Sequence, residues 1–395
     1  MTFKKYVNKC IAWVLIAIIG AMIAKPVSAQ SNPVLPVPVW EWKGADQIIE
    51  TPYHYKNTAY LVTSGEVASA TKVWPVVVLT AVDVNSGKKK WSYTFYEKGT
   101  PYPLSTSPLV YGSDGAVYAM VSDVTGNKLF AVNASGKAKW IIQVPEADEL
   151  YMMRDGTLLL IDRDKRDSSG KTANWVYSYN ASGKQIGKKT IGDIYSVVDG
   201  QYIVSQVEFS AKDSKGAYQK IRADFYNSKL GHVFSYSFPA RAYTDISEAV
   251  WTLDGGNVMF RVNIPEKGNQ LVAVNAKGKA QWRLSIAGNA DVESAKGGFA
   301  VFGSNELRFY NAKGGLVTKR KLIVQHEAPM FTLWKAADQK LLVRMNDRQL
   351  IVNPATLKTL YEFPLDTADV EYRYTGNGYL YRISESGSRI SQFVL

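Results

Sequence analysis

The sequence predicts an all-β protein, an eight-bladed β-propeller of four-stranded blades, and three observations lead to this prediction. The chain is 46% hydrophobic and 12% aromatic, rich in Val, Ile, Tyr and Trp, with 30 Gly and 15 Pro. Such a composition is typical of strands and turns. A short phrase, NASGKAKW at 133–140, recurs along the chain. The two chain ends carry strand patterns that complete each other.

The recurring phrase marks a structural repeat. Its copies are AVDVNSGKKKW (81–91), AVNASGKAKW (131–140), SYNASGKQIG (178–187), FYNSKLGHVF (225–234), AVNAKGKAQW (273–282), FYNAKGGLV (309–317) and IVNPATLKTLY (351–361). The glycines at 87, 136, 183, 231, 278 and 314 are spaced by 49, 47, 48, 47 and 36 residues, and Leu357 replaces the seventh. Periods of roughly 20–50 residues are typical of propellers and solenoids.

Each period contains four short strand patterns, which is the unit of a propeller blade. In the sixth period they are ADVESAKG, GFAVFGSN, ELRFYNAKG and GLVTKRKL. The third and fourth strands meet at the repeated phrase, where Asn and Gly are expected to take the positive φ of a tight turn. The Trp at the start of the fourth strand is predicted to pack between neighbouring blades, as Trp91, Trp140 and Trp282.

The chain ends predict how the ring closes. The last residues give three strand patterns, VEYRYTGN, GYLYRISES and GSRISQFVL, and VPVWEWKG at 37–44 can supply the fourth. An N-terminal strand that completes the C-terminal blade would remove an exposed sheet edge. Seven complete blades and this composite one make eight. Seven blades is the alternative, because the boundaries between blades are soft.

The first residues are interpreted as an export signal. Lys4, Lys5 and Lys9 precede an apolar run from Cys10 to Ala24, and small residues at 27–29 favour cleavage near Ala29-Gln30. We therefore divide the chain into a signal peptide (1–29), a Pro-rich lead-in (30–38) and the propeller domain (39–395). The run is short for a membrane span, so the mature chain is expected to be secreted or associated with the cell envelope. An uncleaved anchor is the alternative.

The first copy of the phrase carries a known pattern. AVDVNSGKKKW resembles the tryptophan-docking motif, A-x-D-x-x-[ST]-G-x-x-x-W, of quinoprotein-like (PQQ-like) propellers, through Asp83, Gly87 and Trp91. The second and fifth copies are one residue shorter. They keep the glycine and tryptophan as the pairs Gly136 with Trp140 and Gly278 with Trp282. That superfamily includes quinone-dependent dehydrogenases and non-catalytic scaffolds such as the outer-membrane assembly lipoprotein.

The resemblance implies the fold, and we place the chain in the non-catalytic branch. Many quinoprotein dehydrogenases carry adjacent cysteines and a calcium site of Glu, Asn and Asp. This chain has a single cysteine, Cys10, inside the leader. We therefore predict no cofactor and no PQQ-dependent dehydrogenase activity, since a shared scaffold transfers fold rather than chemistry.

Charge is predicted to differ between the two faces of the ring. The net charge is +12, and the leader holds four lysines and no acids, which leaves +8. The repeated turns, on the bottom face, carry Lys88, Lys89, Lys90, Lys137, Lys139, Lys184, Lys279, Lys313 and Lys358. The connections between blades, on the top face, carry Asp46, Glu97, Glu146, Asp148, Asp193, Asp245, Asp291, Glu327, Asp366 and Asp369. An anionic wall polymer under the basic face is one interpretation, and simple solvation is the other. Nucleic acid is not expected.

Candidate binding residues lie in the top connections. They are Tyr96, Glu97, Tyr102, Glu146, Asp148, Tyr243, Asp245, His326 and Glu327. The aromatic ones suit stacking on sugars or anchoring a protein partner, but they could equally cap strand ends. Loops at 65–72, 122–127, 163–174, 210–219 and 264–269 are expected to raise the rim over the first five blades.

No metal site and no catalytic set is predicted. Asp162, Asp164 and Asp167 are a weak calcium candidate, because a helix-loop-helix calcium loop wants Gly and Glu where Asp167 and Ala173 stand. The histidines at 54, 232 and 326 lack an evident catalytic partner. The sequence therefore favours a secreted, non-catalytic module that binds an envelope protein or glycan. The alternative is a polysaccharide-acting enzyme that uses acidic residues at the propeller mouth.

Overall fold

Antiparallel strands form the regular secondary structure of the part of the chain that the structure describes. The computed structural model describes residues 37–43, 47–68, 73–96, 105–166, 172–192, 195–247, 249–322, 332–345, 348–364, 370–384 and 386–395. Side chains at 164–166, 172 and 370 are excepted. Within these ranges there are strands and turns but no helix that could cross a membrane. The described residues all fall in the compact unit Leu35–Leu395.

The strands form eight sheets, the blades of a propeller. Blade 1 consists of β2 (Tyr53–Tyr55), β3 (Thr58–Ala68), β4 (Val73–Asp83) and β5 (Lys89–Thr94). Blade 2 consists of β6 (Ser105–Thr106), β7 (Val110–Tyr111), β8 (Val117–Asp123), β9 (Gly126–Val132) and β10 (Ala138–Val144). Blade 3 consists of β11 (Glu149–Met152), β12 (Leu158–Arg166), β13 (Thr172–Tyr179) and β14 (Gln185–Ile191). Blade 4 consists of β15 (Tyr195–Val198), β16 (Tyr202–Asp213), β17 (Gly216–Tyr226) and β18 (His232–Ser237).

The second half of the ring repeats the pattern. Blade 5 consists of β19 (Val250–Thr252), β20 (Val258–Ile264), β21 (Gly268–Val274) and β22 (Ala280–Ser285). Blade 6 consists of β23 (Asp291–Ala295), β24 (Gly298–Gly303), β25 (Glu306–Asn311) and β26 (Leu316–Lys321). Blade 7 consists of β27 (Thr332–Lys335), β28 (Leu341–Arg344), β29 (Arg348–Val352) and β30 (Thr359–Pro364). Blade 8 consists of β31 (Val370–Gly376), β32 (Tyr379–Ser384), β33 (Arg389–Val394) and β1 (Trp40–Lys43).

Strands pair in chain order within blades 1 to 7, so the first strand is innermost and the fourth is outermost. The first strands of several neighbouring blades, such as β19, β23 and β27, approach one another around the central channel. In blade 2 the innermost strand is split, because β6 and β7 both pair with β8. The top face therefore carries the hairpins between second and third strands and the connections between blades. The bottom face carries the other turns.

The hydrophobic core is distributed around the ring. The buried apolar side chains form eight clusters, and each cluster is shared by two neighbouring blades. Middle strands are covered on both faces, which is why stretches such as 158–161 (LLLI) are continuously apolar and fully buried. The ring is thus held together by eight similar interfaces rather than by one central core.

Strand β1 closes the ring as the sequence predicts. It pairs antiparallel with β33, from Trp40 opposite Gln392 to Lys43 opposite Arg389. The N-terminal strand is therefore the outermost strand of blade 8. This confirms the eight-bladed prediction and its closure, and it excludes the seven-bladed alternative.

In the repeated turn, the glycine has the expected backbone conformation but the asparagine does not. Gly136 has the positive φ expected, 79°, but Asn133 does not take a positive φ. Its side-chain Oδ1 instead accepts hydrogen bonds from the backbone N–H of Ser135 (2.9 Å) and of Lys137 (3.0 Å). In blades 4 and 7 a leucine takes the left-handed position, Leu230 at 65° and Leu357 at 54°. The prediction was right for five of the six turn glycines, Gly231 being the exception. It was wrong for asparagine, because the Asn side chain can replace a backbone acceptor.

The expected raised rim consists mainly of long hairpins. Strands β3 and β4 have 11 residues each, and β16 and β17 have 12 and 11. By contrast, β8 and β9 in blade 2 and β20 and β21 in blade 5 are joined by tight turns. Of these four hairpins, those of blades 1 and 4 are therefore the long ones. The tip of the blade 3 hairpin lies outside the described residues.

Candidate functional site

The structure brings two of the nine predicted top-face residues together. Tyr243 and Asp245 line one groove. Tyr96 is half-buried after β5, and Glu146 and Asp148 are exposed between blades 2 and 3. The Asp148 carboxylate accepts the backbone N–H of Arg163 in β12 at 2.7 Å. Four further members of the set lie outside the described residues: Glu97, Tyr102, His326 and Glu327.

The groove that contains Tyr243 runs between blades 5 and 6 at the top of the channel, and we call it the 5–6 groove. Its volume is about 500 Å³. Its lining mixes aromatic, acidic and amide side chains: Tyr243, Thr244, Asp245, Ala249, Trp251, Arg261, Asn263, Asn269, Asp291, Val292 and Glu293. A cavity of this size with a few convergent polar groups is the usual form of a binding site.

Tyr243 is a fixed aromatic side chain on the rim of this groove. It is 67% exposed, the most exposed of the large aromatic side chains in the described part of the chain. Tyr243 lies in a connection between strands, but its backbone is held by two hydrogen bonds to Asn263 of β20, each 2.8 Å. The connection from β18 to β19 is thus clamped against the tip of β20. The ring is presented to solvent on a rigid support.

Two carboxyl groups on β23 line the groove below Tyr243. Asp291 and Glu293 are alternate residues of the strand, and burial raises the pKa of both. The Oδ2 atom of Asp291 is buried without a hydrogen-bond partner among the described residues. The Arg261 guanidinium lies beside them and donates to the carbonyls of Ala290, at 2.9 Å, and Gly288. The floor of the groove is therefore acidic, with one cation already committed to backbone oxygens.

A second groove lies across the channel mouth, where blades 7, 8 and 1 meet. Its volume is about 590 Å³, and it is lined by Ile49, Glu50, Thr51, Trp334, Leu342, Arg344, Gln349, Glu371, Tyr372, Arg373 and Tyr374. Trp334 is 38% exposed, and Arg373 pairs with Glu371 at 2.6 Å. Burial raises the pKa of Glu50, whose carboxylate accepts the backbone N–H of Leu109 at 3.0 Å.

The lower part of the channel is crossed by a polar network. Lys335 of blade 7 pairs with Asp199 of blade 4 at 3.1 Å and donates to Ser294 of blade 6 at 2.8 Å. The Thr252 hydroxyl of blade 5 donates to Asp199 at 2.5 Å. Because these groups come from four blades, the network ties one half of the ring together rather than presenting free chemistry.

The motif residues Asp83, Gly87, Trp91, Gly136, Trp140, Gly278 and Trp282 lie at the boundaries between blades. The indole N–H groups of Trp91, Trp140 and Trp282 donate to the carbonyls of Ala134, Ala181 and Ala312 in the next blade, at 3.1, 3.0 and 3.0 Å. Each ring covers a turn glycine there, Gly136, Gly183 or Gly314. Gly278 instead faces the backbone of Ser235, and the Asp83 carboxylate caps its own turn.

Sequence reasoning missed a second set of turn residues. An Asp-Gly pair recurs in the turn between first and second strands, at 114–115, 155–156, 199–200 and 254–255. Three of these aspartates bond to the following blade: Asp155 to Ser228 Oγ (2.6 Å), Asp199 to Thr252, and Asp254 to the backbone N–H of Gly297 (2.5 Å). The repeated dipeptide was the available signal.

The weak metal and histidine candidates do not form a site. Asp162 is buried within β12, while the side chains of Asp164 and Asp167 lie outside the described residues. The described side chains contain no group of three or more His, Cys, Asp or Glu that could hold a metal ion. His54 is packed between blades 8 and 1, and His232 is exposed on the bottom face. The position of His326 is not described.

Comparisons with known proteins agree with this architecture. The family model described as outer membrane protein assembly factor BamB matches residues 37–158. The crystal structure of BamB from Moraxella catarrhalis superposes with a TM-score of 0.50 at 9% sequence identity, covering 92% of this chain and 100% of that one. No curated protein sequence matches the chain significantly.

Two other solved structures superpose with lower TM-scores. A eukaryotic initiation factor has a TM-score of 0.46 at 11% identity, covering 93% of this chain and 87% of that one. A protein of unknown function from Bacteroides caccae has a TM-score of 0.32 at 13% identity, covering 60% and 93%. The repeats, the closed ring and the likeness to BamB together identify the chain as an eight-bladed β-propeller built from PQQ-like repeats.

Proposed function

We propose that this propeller is a non-catalytic binding module of the cell envelope, which holds a protein or glycan ligand on its top face. The observation that carries the proposal is Tyr243, an exposed ring on a clamped backbone at the rim of the 5–6 groove. An aromatic side chain on a rigid support offers a large contact area at a small entropic cost. Polar groups in the groove would then orient the ligand.

The location and the class of partner rest on two further points. Residues 1–29 have the composition of an export signal. The likeness in fold is to a protein named as an outer membrane protein assembly factor. Both support a role at the envelope, and the second favours a protein ligand. The two tall hairpins of blades 1 and 4 would add contact surface beside the mouth.

Replacing Tyr243 by alanine is expected to weaken ligand capture by about 10- to 30-fold, the loss typical of an aromatic hot spot. The measurement is a pull-down from cell envelopes with the chain from Gln30 onward, which keeps the compact unit Leu35–Leu395. Val317→Ala is the matched control, because Val317 is 52% exposed but lies on the outermost strand of blade 6. The control variant should capture as much as the wild type.

The competing function is an enzyme that cleaves envelope polysaccharide, and Asp291 with Glu293 favours it. A carboxyl group with a raised pKa can serve as general acid, and glycosidases pair it with a second carboxylate about 5–10 Å away. Envelope polysaccharide is therefore incubated with the wild type and with Glu293→Gln, and reducing ends are measured. Release that is lost in the variant would overturn the binding proposal, as would equal capture by the Tyr243 and Val317 variants.

A further inference from the structure

The bottom face carries a set of lysines with a common geometry, which we call the lysine ring. Its members are exposed, lie in the turns between third and fourth strands, and make no ion pair among the described residues: Lys88, Lys89, Lys137, Lys184, Lys229, Lys277, Lys279, Lys313 and Lys358. Seven blades contribute, since each of these turns holds at least one such lysine. In the same turns Asp83 is the single acid, and it pairs with Lys90 at 3.4 Å.

Four of the turns that carry the lysine ring are held by the same tryptophan contact. Three indole N–H groups donate to a backbone carbonyl in the repeated turn of the next blade; they belong to Trp91, Trp140 and Trp282. The acceptor is the residue that follows the turn Asn, such as Ala134 for Trp91 at 3.1 Å. Trp40 makes the equivalent bond to Val84 at 2.9 Å across the closure between blades 8 and 1. These bonds dock the turns of blades 1, 2, 3 and 6 on the preceding blade in the same way. The lysines of these four turns therefore have one common arrangement on the bottom face.

The acids closer to the axis are compensated internally. Asp155, Asp199 and Asp254 bond to the next blade, Asp114 lies 3.5 Å from Lys139, and Asp338 pairs with Lys340 at 2.8 Å. The sequence alone implies a uniformly basic bottom face, but the structure shows that this face also carries compensated acids. It has a ring of unpaired cations outside a ring of satisfied carboxylates.

We propose that the lysine ring docks the propeller, bottom face down, on an anionic phospholipid bilayer. A flat surface can touch turns all around one face of the ring at once, whereas a thread-like polymer can follow only part of the ring. Each lysine near an anionic bilayer contributes about 1 kcal/mol, an attraction that salt screens. This inference does not depend on the ligand at the mouth. Docking in this way leaves the top face and its grooves pointing away from the membrane.

The test compares two variants that lose the same charge. In the first, Lys137, Lys184, Lys279 and Lys358 are replaced by Gln. In the second, four exposed lysines of the top face are replaced by Gln: Lys212, Lys215, Lys267 and Lys321. The first variant should fold normally, because the turns are fixed by backbone N–H groups, such as that of Lys279 on Asn275 Oδ1 at 3.1 Å. Circular dichroism and thermal unfolding verify this.

Both variants and the wild type, each from Gln30 onward, are sedimented with vesicles of phosphatidylglycerol mixed with phosphatidylcholine, and with vesicles of phosphatidylcholine alone. We expect the wild type and the top-face variant to bind the anionic vesicles at low salt and to be released at high salt. The bottom-face variant should bind at least about 100-fold more weakly, from about 5-fold per lysine. None should bind phosphatidylcholine.

Three outcomes would overturn the proposal. Equal losses in the two variants would mean that net charge alone drives adsorption. Binding to a soluble polyphosphate but not to anionic vesicles would identify a polymer as the partner. Wild-type binding that persists at high salt, or on phosphatidylcholine, would show that the lysine ring is not the contact.

Discussion

Replacing Trp40 by alanine is expected to lower the free energy of unfolding by about 3–5 kcal/mol, the range for removing a large buried aromatic side chain. Trp40 is 7% exposed and packs on Tyr381, with ring centroids 6.1 Å apart. Its ring covers Gly87, where an added Cβ would lie 2.8 Å from the indole. The loss falls on the interface between blades 8 and 1, which is the one that joins the two chain ends. Chemical unfolding followed by far-ultraviolet circular dichroism measures it.

Two variants separate the role in closure from the loss of a tryptophan. Trp334→Ala removes a half-exposed indole from the mouth, and its cost should stay below about 1 kcal/mol. Trp40→Phe keeps most of the buried area but loses the indole bond to Val84, so it should cost about 1–2 kcal/mol. If Trp40→Ala were no more damaging than Trp334→Ala, the closure would not depend on this side chain.

The fold was largely predictable because its signal is repeated. Alternating apolar residues that lead into a turn occur seven times, with the turn glycine in six of the copies and a following Trp in three. The Trp of VPVWEWKG marks the N-terminal segment as the missing outermost strand. The role of each Asn was harder to foresee, since an Asn in a turn can act through its φ or through its side-chain acceptor. Only the geometry at Asn133 decides between the two.

The site was predictable to a smaller extent. Tyr243 and Asp245 were predicted as site residues because they lie in a connection between blades. Glu293 was missed because it lies inside a strand pattern, and the alternation of apolar and polar residues does not tell which strand lines the channel mouth. The clamp of Tyr243 on Asn263 is a contact between separate segments, and local sequence does not encode it. The compensation of the bottom-face aspartates also depends on the neighbouring blade. Long-range pairing therefore sets the chemistry of both faces.

His54 occupies the same closure as Trp40, and its bonding fixes its protonation state. Its Nε2 lies 2.6 Å from the Tyr381 hydroxyl, which donates to Gln392 Oε1 at 2.7 Å. His54 Nε2–H must then be the donor to Tyr381. The Nδ1 atom is buried and has no hydrogen-bond partner within the described residues. Burial accordingly lowers the pKa of His54 from 6.5 to about 4, since a proton on Nδ1 would place a charge and an unsatisfied N–H between blades 8 and 1.

The closure should therefore weaken in acid. Between pH 6.5 and about 4 the unfolded chain binds a proton at His54 that the folded chain does not, so stability falls as the pH is lowered through this window. At 1.36 kcal/mol per unit the loss amounts to about 3 kcal/mol, and it is complete below the folded-state pKa. His54→Gln should lose about 3 kcal/mol less than the wild type between pH 7 and 4, whereas His232→Gln, at an exposed ring, should follow the wild type. The carboxylates titrate in all three proteins, so the difference between variants isolates His54. Parallel pH profiles for His54→Gln and the wild type would show that the buried imidazole does not control the closure.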